Sequence, residues 1–544
     1  MQTIAVARGG GAMARSSDHA EGVTVFGWFE RSERDKWASP LPLVRPAAHV
    51  GLPVLDVHAQ QLYGTGLPRG VLMPRAMAER PPVNHWMRPS DLLQFRFRAG
   101  QTILGKLAGH LIGHGDDRPI VTIAGARAGK SSTVLEPNLY LYPGSMLVTD
   151  PKGELARKTA LVRRACGHNV QVLDPFGQSG VESAHFNVLA ELDPESDTII
   201  DDVAEITQAI IVEDPSASSR HWNDSARELL KGLILFTLTM QAGERNLVTV
   251  RQLLTLTHPA LLTAVKAAGA PAPGRAAKTP ASSGGEPARQ TLIETLTLAM
   301  AAQRKVFGGI LAAIGERFAN TPVNERGSIF STAAAQTDFL DSLPLRAISR
   351  RSDFSLDALA GDRPTTVYLC LPAGRMESHY RWLRMLVRQA CTTLERRGTW
   401  PLGKTPVLFL LEEFPVLGHM QIMESAAAYF PGFGVRLWAV LQSITQLRHH
   451  YPASWETFIG NASVVQCFSN SDQATLDYIT RRTENLIHPF EIRTAFARET
   501  YAQILMLDGQ PPAAAIRLEH GEVAALRARV LAEANRGQRR LPAA

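Results

Sequence analysis

Ala124-Gly125-Ala126-Arg127-Ala128-Gly129-Lys130-Ser131-Ser132 follows directly on the apolar run Ile120-Val121-Thr122-Ile123, and the fold turns on this stretch. A short apolar strand, a glycine-bearing loop and then a helical stretch to about Tyr140 are the parts that grip a nucleoside triphosphate. Backbone N–H groups wrap the β-phosphate, a lysine reaches the β/γ oxygens, and a hydroxyl holds Mg²⁺. The start of a helix adds its own preference for anions. Gly125, Ala126, Arg127, Ala128, Gly129, Lys130, Ser131 and Ser132 are therefore expected to bind ATP, with Ser131 on the Mg²⁺. The usual pattern begins with glycine where Ala124 stands. Alanine serves there if its φ stays negative.

Such a loop predicts an acidic pair at the end of another strand. Pro406-Val-Leu-Phe-Leu-Leu411 runs into Glu412 and Glu413. Glu412 is expected to hold the Mg²⁺ water shell and Glu413 to polarise the attacking water. Glu412 is one methylene longer than the aspartate more usual at this position. Gln442 ends the next apolar run, Arg436–Leu441, where a carboxamide senses the γ-phosphate. The catalytic set is thus Glu413, Lys130 and Gln442. Motors of this design usually complete the site with an arginine from a neighbouring subunit. Arg436 and Arg326 are the candidates, and neither stands out from a structural charge. His110 and His114, with Asp116 and Asp117 nearby, only superficially resemble a metal site, because no HExxH pattern accompanies them. They are expected to be solvated or at a helix end, and His449-His450 to lie on the surface.

Outward from these motifs, Ser145–Asp150 and Asn169–Asp174 are further strand-like runs, with a helix over Glu154–Arg164 between them. Alternation stops near Gln178 and resumes at Thr366–Leu371, followed by a helix through Arg396. Ser463–Phe468, Ile504–Leu507 and Ala515–Leu518 complete the strands. Strands alternating with helices of this length predict a parallel sheet covered on both faces. The interval reads as helix over Thr198–Val212, Ser225–Met240, Val248–Ala268 and Glu294–Ile314. It is broken by a Pro/Ala/Ser/Gly-rich loop at Gly269–Ala288. The expected architecture is α/β, a RecA-like P-loop core carrying a large all-α insertion. Its parts are an N-terminal region 1–95, a first nucleotide-binding segment 96–183, the insertion 184–345, a second nucleotide-binding segment 346–520, and a basic tail 521–544. Residues 1–95 are rich in Pro, Gly, Ala and Arg, with short apolar pieces at Val23–Phe29 and Val54–Leu55 and low order in the first twenty residues.

A chain of 544 residues exceeds what one core serves. Its 57 Lys+Arg against 51 Asp+Glu permits, but does not demand, a nucleic-acid partner. Cys166, Cys370, Cys391 and Cys467 are scattered, which fits a reduced cytosolic compartment. The longest apolar helical piece, Leu233–Met240, is too short to span a bilayer, and no signal peptide is visible.

Several stretches resemble a family, the TraG-like type IV secretion coupling proteins. They are Gly129-Lys130-Ser131 with Pro137-Asn138-Leu139, then Pro143-Gly144-Ser145, and Val148-Thr149-Asp150-Pro151-Lys152-Gly153-Glu154. Leu173-Asp174-Pro175-Phe176-Gly177, Phe186-Asn187, Glu413-Phe414-Pro415-Val416-Leu417-Gly418, and Gln442-Ser443 with Gln446-Leu447 continue the likeness in family order over roughly 105–480. Weaker matches are Trp222, Ser225, Ala226, Glu325-Arg326 and Ser331-Thr332. The resemblance implies a homohexameric, DNA-dependent ATPase that takes relaxase-bound single-stranded DNA or protein and pumps it into a secretion channel. Its partners would be the relaxase and relaxosome proteins and the type IV secretion channel proteins. The family's N-terminal membrane anchor has no counterpart in 1–95, which implies a bacterial cytoplasmic protein, peripheral at the inner membrane through partners. Two other readings stand beside this one: a nucleotide-dependent substrate adaptor with weak hydrolysis, and a double-stranded-DNA translocase of the chromosome-partition type. The Thr149–Glu154 run and the helical insertion argue against the last.

Overall fold

Short runs of Val, Ile and Leu satisfy their backbones by pairing side by side, and here they do so in parallel. The computed structural model describes residues 85–212, 220–267 and 285–539. Strands β3 (Ile120–Ala124), β4 (Met146–Asp150), β5 (Asn169–Leu173), β6 (Thr365–Cys370), β7 (Val407–Leu411), β8 (Val435–Leu441) and β9 (Val464–Phe468) form a parallel sheet in the order β9-β3-β8-β7-β4-β6-β5. Every residue of β3, β4, β6, β7, β8 and β9 is buried, so both faces of the sheet are covered. Beyond β9 the sheet turns antiparallel through β10 (Ala502–Leu507), β11 (Ala513–Ile516), β1 (Thr102–Leu107) and β2 (His110–His114). The strand runs expected from the sequence fall in these elements. β1 and β2 were not expected, because their glycines and histidines hide the alternation.

A buried polar chain ties the parallel and antiparallel parts together. Trp438 Nε1 on β8 donates to Thr122 Oγ1 on β3 at 2.9 Å, and Thr122 Oγ1 donates to Gln466 Oε1 on β9 at 2.8 Å. Gln466 Nε2 donates to Gln503 Oε1 on β10 and to the Leu104 carbonyl on β1, at 2.5 and 3.1 Å. Gln503 Nε2 also donates to the Leu104 carbonyl, at 2.6 Å, so losing Gln466 would leave the buried Thr122 hydroxyl and the Gln503 Oε1 without these partners. Gln466→Ala is expected to lower stability by roughly 2–4 kcal/mol, read as a lower urea midpoint at unchanged slope.

Between β5 and β6 the described residues hold no strand. Helices run over Ile199–Ile210, Arg220–Leu238, Leu247–Leu254, Pro259–Ala267, Gly285–Ala301, Ile310–Asn320, Val323–Gln336 and Leu343–Ile348. Two helices expected to be continuous are each broken. Leu256 is left-handed (φ 59°) just before Pro259, which has no N–H with which to continue a helix. Gly308 and Gly309 (φ 60° and 82°) separate Gly285–Ala301 from Ile310–Asn320. The expected pieces Val23–Phe29 and Val54–Leu55, and the loop at 269–288 up to residue 284, lie outside the described residues.

The stretch that charge counting marks as a basic tail is a helix, His520–Arg539. Val523, Leu526, Val530 and Leu531 share one of its faces, at the 3–4-residue spacing of a helical stripe. That face packs on Tyr140, Leu141 and Val162 of the helices Glu136–Leu141 and Glu154–Ala165, and on Ile103 of β1. Among the described residues no helix is long and apolar enough to cross a membrane. All four cysteines are free.

Candidate functional site

At the end of β3 the chain makes a tight loop. Left-handed backbone falls on Arg127 (φ 56°) and Gly129 (φ 86°), not on Ala124, which is the buried last residue of the strand. Alanine at 124 therefore meets no steric objection. Gly125 is different, because a Cβ there would stand 2.4 Å from the Ser469 carbonyl after β9. Lys130 is buried and folds back onto the loop, its Nζ donating to the Ala124 and Gly125 carbonyls at 2.8 and 3.0 Å. Burial lowers its pKa, against the opposing pull of Glu413 and Glu412. A π-helical turn, Ser131–Leu135, then leads into the helix Glu136–Leu141.

The acids arrive from two strands away. β8 lies between β3 and β7, and Glu412 and Glu413 follow directly on β7. Ser131 Oγ donates to Glu412 Oε1 at 2.5 Å, and Thr149 Oγ1 donates to the Glu412 carbonyl at 2.8 Å. Glu413 takes a left-handed backbone (φ 57°), and its Oε1 accepts from Gln442 Nε2 at 2.7 Å. The ends of β3, β7 and β8 thus bring Lys130, Ser131, Glu412, Glu413 and Gln442 into one cluster. Among the described residues no group of three or more His, Cys, Asp or Glu could hold a metal by itself. Mg²⁺ asks for less: one or two protein oxygens, with phosphate oxygens and water completing its shell. The Ser131 hydroxyl and the Glu412 carboxylate fit that requirement.

Burial pushes the Glu412 carboxyl up to about 7. The Ser131 hydrogen bond opposes this, and the nearby Asp150 and Glu413 carboxylates add to it. Its ordinary value is 4.5. Between these limits the folded carboxyl holds a proton that the unfolded one has released, so stability falls as pH rises from about 4.5 to about 7 and is level above. Glu412→Gln is therefore expected to match the ligand-free wild type near pH 4.5 and to exceed it at pH 8 by up to roughly 3 kcal/mol. Urea melts of both proteins across that range check the sign.

The Asp150–Gly153 and Asp174–Gly177 stretches, which in the sequence carried only a family likeness, have structural roles here, and so does Arg517. Asp150, at the end of β4 beside β7, is buried; its Oδ2 accepts from Ala156 N at 2.8 Å and caps the helix Glu154–Ala165. Burial raises its pKa to about 6. Gly153 (φ 64°) lies so close to the following loop that a Cβ would stand 2.6 Å from Ser179 N. That loop is held by Asp174, which accepts from the Ser179 N–H and hydroxyl, both at 2.6 Å. The Asp-Pro-Lys-Gly and Asp-Pro-Phe-Gly stretches are thus one interlocked support. Arg517, remote in sequence and in no motif, is buried behind the loop and donates to the Ala128 carbonyl at 2.7 Å.

Other expectations fare differently. Arg436 is buried in β8 and reaches the His114 carbonyl; Arg326 is buried on Val323–Gln336 against Glu294 and the Phe318 and Ala319 carbonyls. Neither is exposed to reach a neighbouring subunit. His110 and His114 lie on strand β2, not at a helix end. His110 is exposed against Arg96, while burial drives His114 down to about 4. His449 and His450 end the helix Ile444–His450, with His449 exposed.

The family model described as type IV secretory system conjugative DNA transfer matches residues 93–491. The conjugal transfer protein TraG of Escherichia coli is 26% identical over 405 residues, covering 72% of this chain and 59% of that protein. Protein VirD4 of Agrobacterium fabrum (strain C58) is 25% identical over 430 residues, covering 78% and 58%. The chain thus spans about three-fifths of the length of these curated relatives. Among solved structures, the bacterial conjugative coupling protein TrwBdeltaN70 superposes with a TM-score of 0.58 at 16% identity, over 81% of this chain and 96% of that one. The plasmid coupling protein TrwB in complex with ADP and Mg²⁺ gives 0.56 at 16% identity, over 79% and 92%. At that identity the likeness speaks for the fold alone. With the family model spanning most of the chain, and its P-loop and acidic strand ends gathered at one edge of the sheet, this protein belongs to the type IV secretory system conjugative DNA transfer family.

Proposed function

We propose that the chain is an ATP-hydrolysing motor. It recruits relaxase-bound single-stranded DNA, or a protein substrate, and drives it into a type IV secretion channel as a homohexamer at the cytoplasmic face of the inner membrane. The observation that carries this reading is the 2.5 Å contact between Ser131 and Glu412, with the Glu413–Gln442 pair beside it. Backbone N–H groups of residues 125–132 would cradle the phosphates, Ser132 would add its hydroxyl, and Lys130 would leave the loop carbonyls for the β/γ oxygens. Ser131 and Glu412 would hold Mg²⁺, which supplies charge neutralisation of the phosphates when bound. Glu413 would orient and deprotonate the attacking water, and Gln442, bonded to it, would report loss of the γ-phosphate. The all-α segment, about 184–345, would receive substrate, and residues 96–183 and 346–520 would form the engine. ADP and Mg²⁺ in TrwB support the choice of nucleotide and metal.

One observation favours a second reading, a nucleotide-dependent adaptor with weak hydrolysis. Glu412 is one methylene longer than the usual aspartate, is buried, and already bonds the Ser131 hydroxyl at 2.5 Å, so its carboxylate closes on the place that Mg²⁺ would take. ATPase activity of the full chain with and without single-stranded DNA separates the two. Strong stimulation supports the motor. Substrate binding that needs nucleotide but proceeds with negligible hydrolysis supports the adaptor.

A further inference from the structure

The two serines that follow Lys130 face opposite ways. Ser131 turns to Glu412, on the β8–β7 side of β3, whereas Ser132 turns to the β9–β10–β11 side, where its Oγ meets His520 Nε2 at 3.2 Å. A triphosphate whose Mg²⁺-bearing end sat at Ser131 and Glu412 would have the opposite side of the loop, the side that Ser132 faces, open to its nucleoside. What stands there is a pair of rings. Tyr501, just before β10, and the exposed His520 are joined by a 2.8 Å hydrogen bond between the phenol and Nδ1. Their ring centroids are 5.9 Å apart at 74°. Tyr501 is fixed from behind. Its carbonyl accepts from Arg517 N at 2.8 Å, and the Arg517 guanidinium lies 5.6 Å from its ring centre and 4.1 Å from that of Phe468. The same guanidinium holds the Ala128 carbonyl of the phosphate loop. Residues more than 360 positions apart in the chain are thus locked into one arrangement of loop and rings.

We propose that Tyr501 and His520 form the nucleoside subsite of the phosphate loop, a ring wall on which the purine base stacks. This deepens the nucleotide-binding reading of Lys130 and Ser131 and rests on it. Rigid aromatic side chains offer contact area at little entropic cost, and base–ring stacking is a strong contribution that does not read the edges of the base. Adenine and guanine nucleotides therefore belong to the class this wall accepts. Ser132 links the two halves of the ligand, since its hydroxyl lies between the phosphate loop and the ring wall.

The test compares Mg-ATP with Mg-tripolyphosphate, which keeps the phosphates and lacks the nucleoside, by titration calorimetry on the full chain. Tyr501→Ala is expected to weaken Mg-ATP by roughly 5- to 100-fold and leave Mg-tripolyphosphate within about twofold. Tyr501→Phe, which keeps the ring, is expected to retain most of the ATP affinity, and His520→Ala to fall between the two. Equal losses of ATP and tripolyphosphate in Tyr501→Ala and His520→Ala would mean that the rings merely brace the loop, and would overturn the proposal. So would unchanged ATP affinity in both. Lys130→Ala separates the underlying reading: it should lose both ligands, and retention of tripolyphosphate would move the whole site elsewhere and take the nucleoside wall with it.

Discussion

Lys130→Ala is expected to reduce nucleotide hydrolysis by about a thousandfold or more, with a change in folding stability of only about 1 kcal/mol. The two magnitudes differ because the ammonium does different things in the two states. Without ligand it is buried, its charge disfavoured by desolvation, and it is satisfied by two loop carbonyls at 2.8 and 3.0 Å. Removing it strands those carbonyls but also removes a poorly solvated cation, and the two costs largely offset. With a triphosphate bound, no other side chain of the loop carries a charge to the β/γ oxygens from within the cradle. Arg127 lies in the same loop, but it is exposed on a left-handed backbone, whereas Lys130 is buried against the loop carbonyls. Steady-state ATPase rates and thermal midpoints of the two proteins, measured side by side, give both numbers. Wild-type turnover in Lys130→Ala would show that phosphate is gripped elsewhere.

What the sequence disclosed about this site, and what it hid, follow the range of the interactions involved. The loop from Gly125 to Ser132 is local: strand, turn and helix start are consecutive, so its residue types describe its shape. Glu412 and Gln442 were legible for the same reason, each ending an apolar run whose strand character is set within a few residues. Their meeting is a property of the sheet order β3-β8-β7, which places the ends of three runs at one edge. Arg517 was not legible. It serves the loop from just beyond β11, 389 positions away, through a hydrogen bond to the Ala128 carbonyl, and nothing in its neighbourhood marks it. Arg436 lies in the right stretch for a site arginine but begins a strand, and in the sequence it did not stand out from a structural charge. Its place near the start of β8 puts it at the far end of that strand from Gln442 and buries it against the His114 carbonyl. The helix His520–Arg539 was obscured by its arginines, of which Arg527, Arg529 and Arg536 are exposed while Val523 and Val530 are buried.

Glu413→Gln is expected to lower turnover by about 10²- to 10⁴-fold while leaving nucleotide affinity nearly intact. The backbone at 413 is already left-handed, at φ 57°, and an amide side chain tolerates that conformation as well as a carboxylate does. The partner is kept too, since an amide oxygen still accepts from Gln442 Nε2 in place of the carboxylate oxygen that accepts at 2.7 Å now. What disappears is basicity: an amide cannot take the proton of the attacking water. Geometry and charge are therefore separable here, and Gln442→Ala separates them from the other side. It leaves the base but frees its carboxylate to rotate, which should cost about tenfold in turnover. Single-turnover hydrolysis with a fluorescent nucleotide reads binding and chemistry in one experiment. If Gln442→Ala proved the more damaging of the two, the water would be held by the carboxamide, and Glu413 would be its orienting partner.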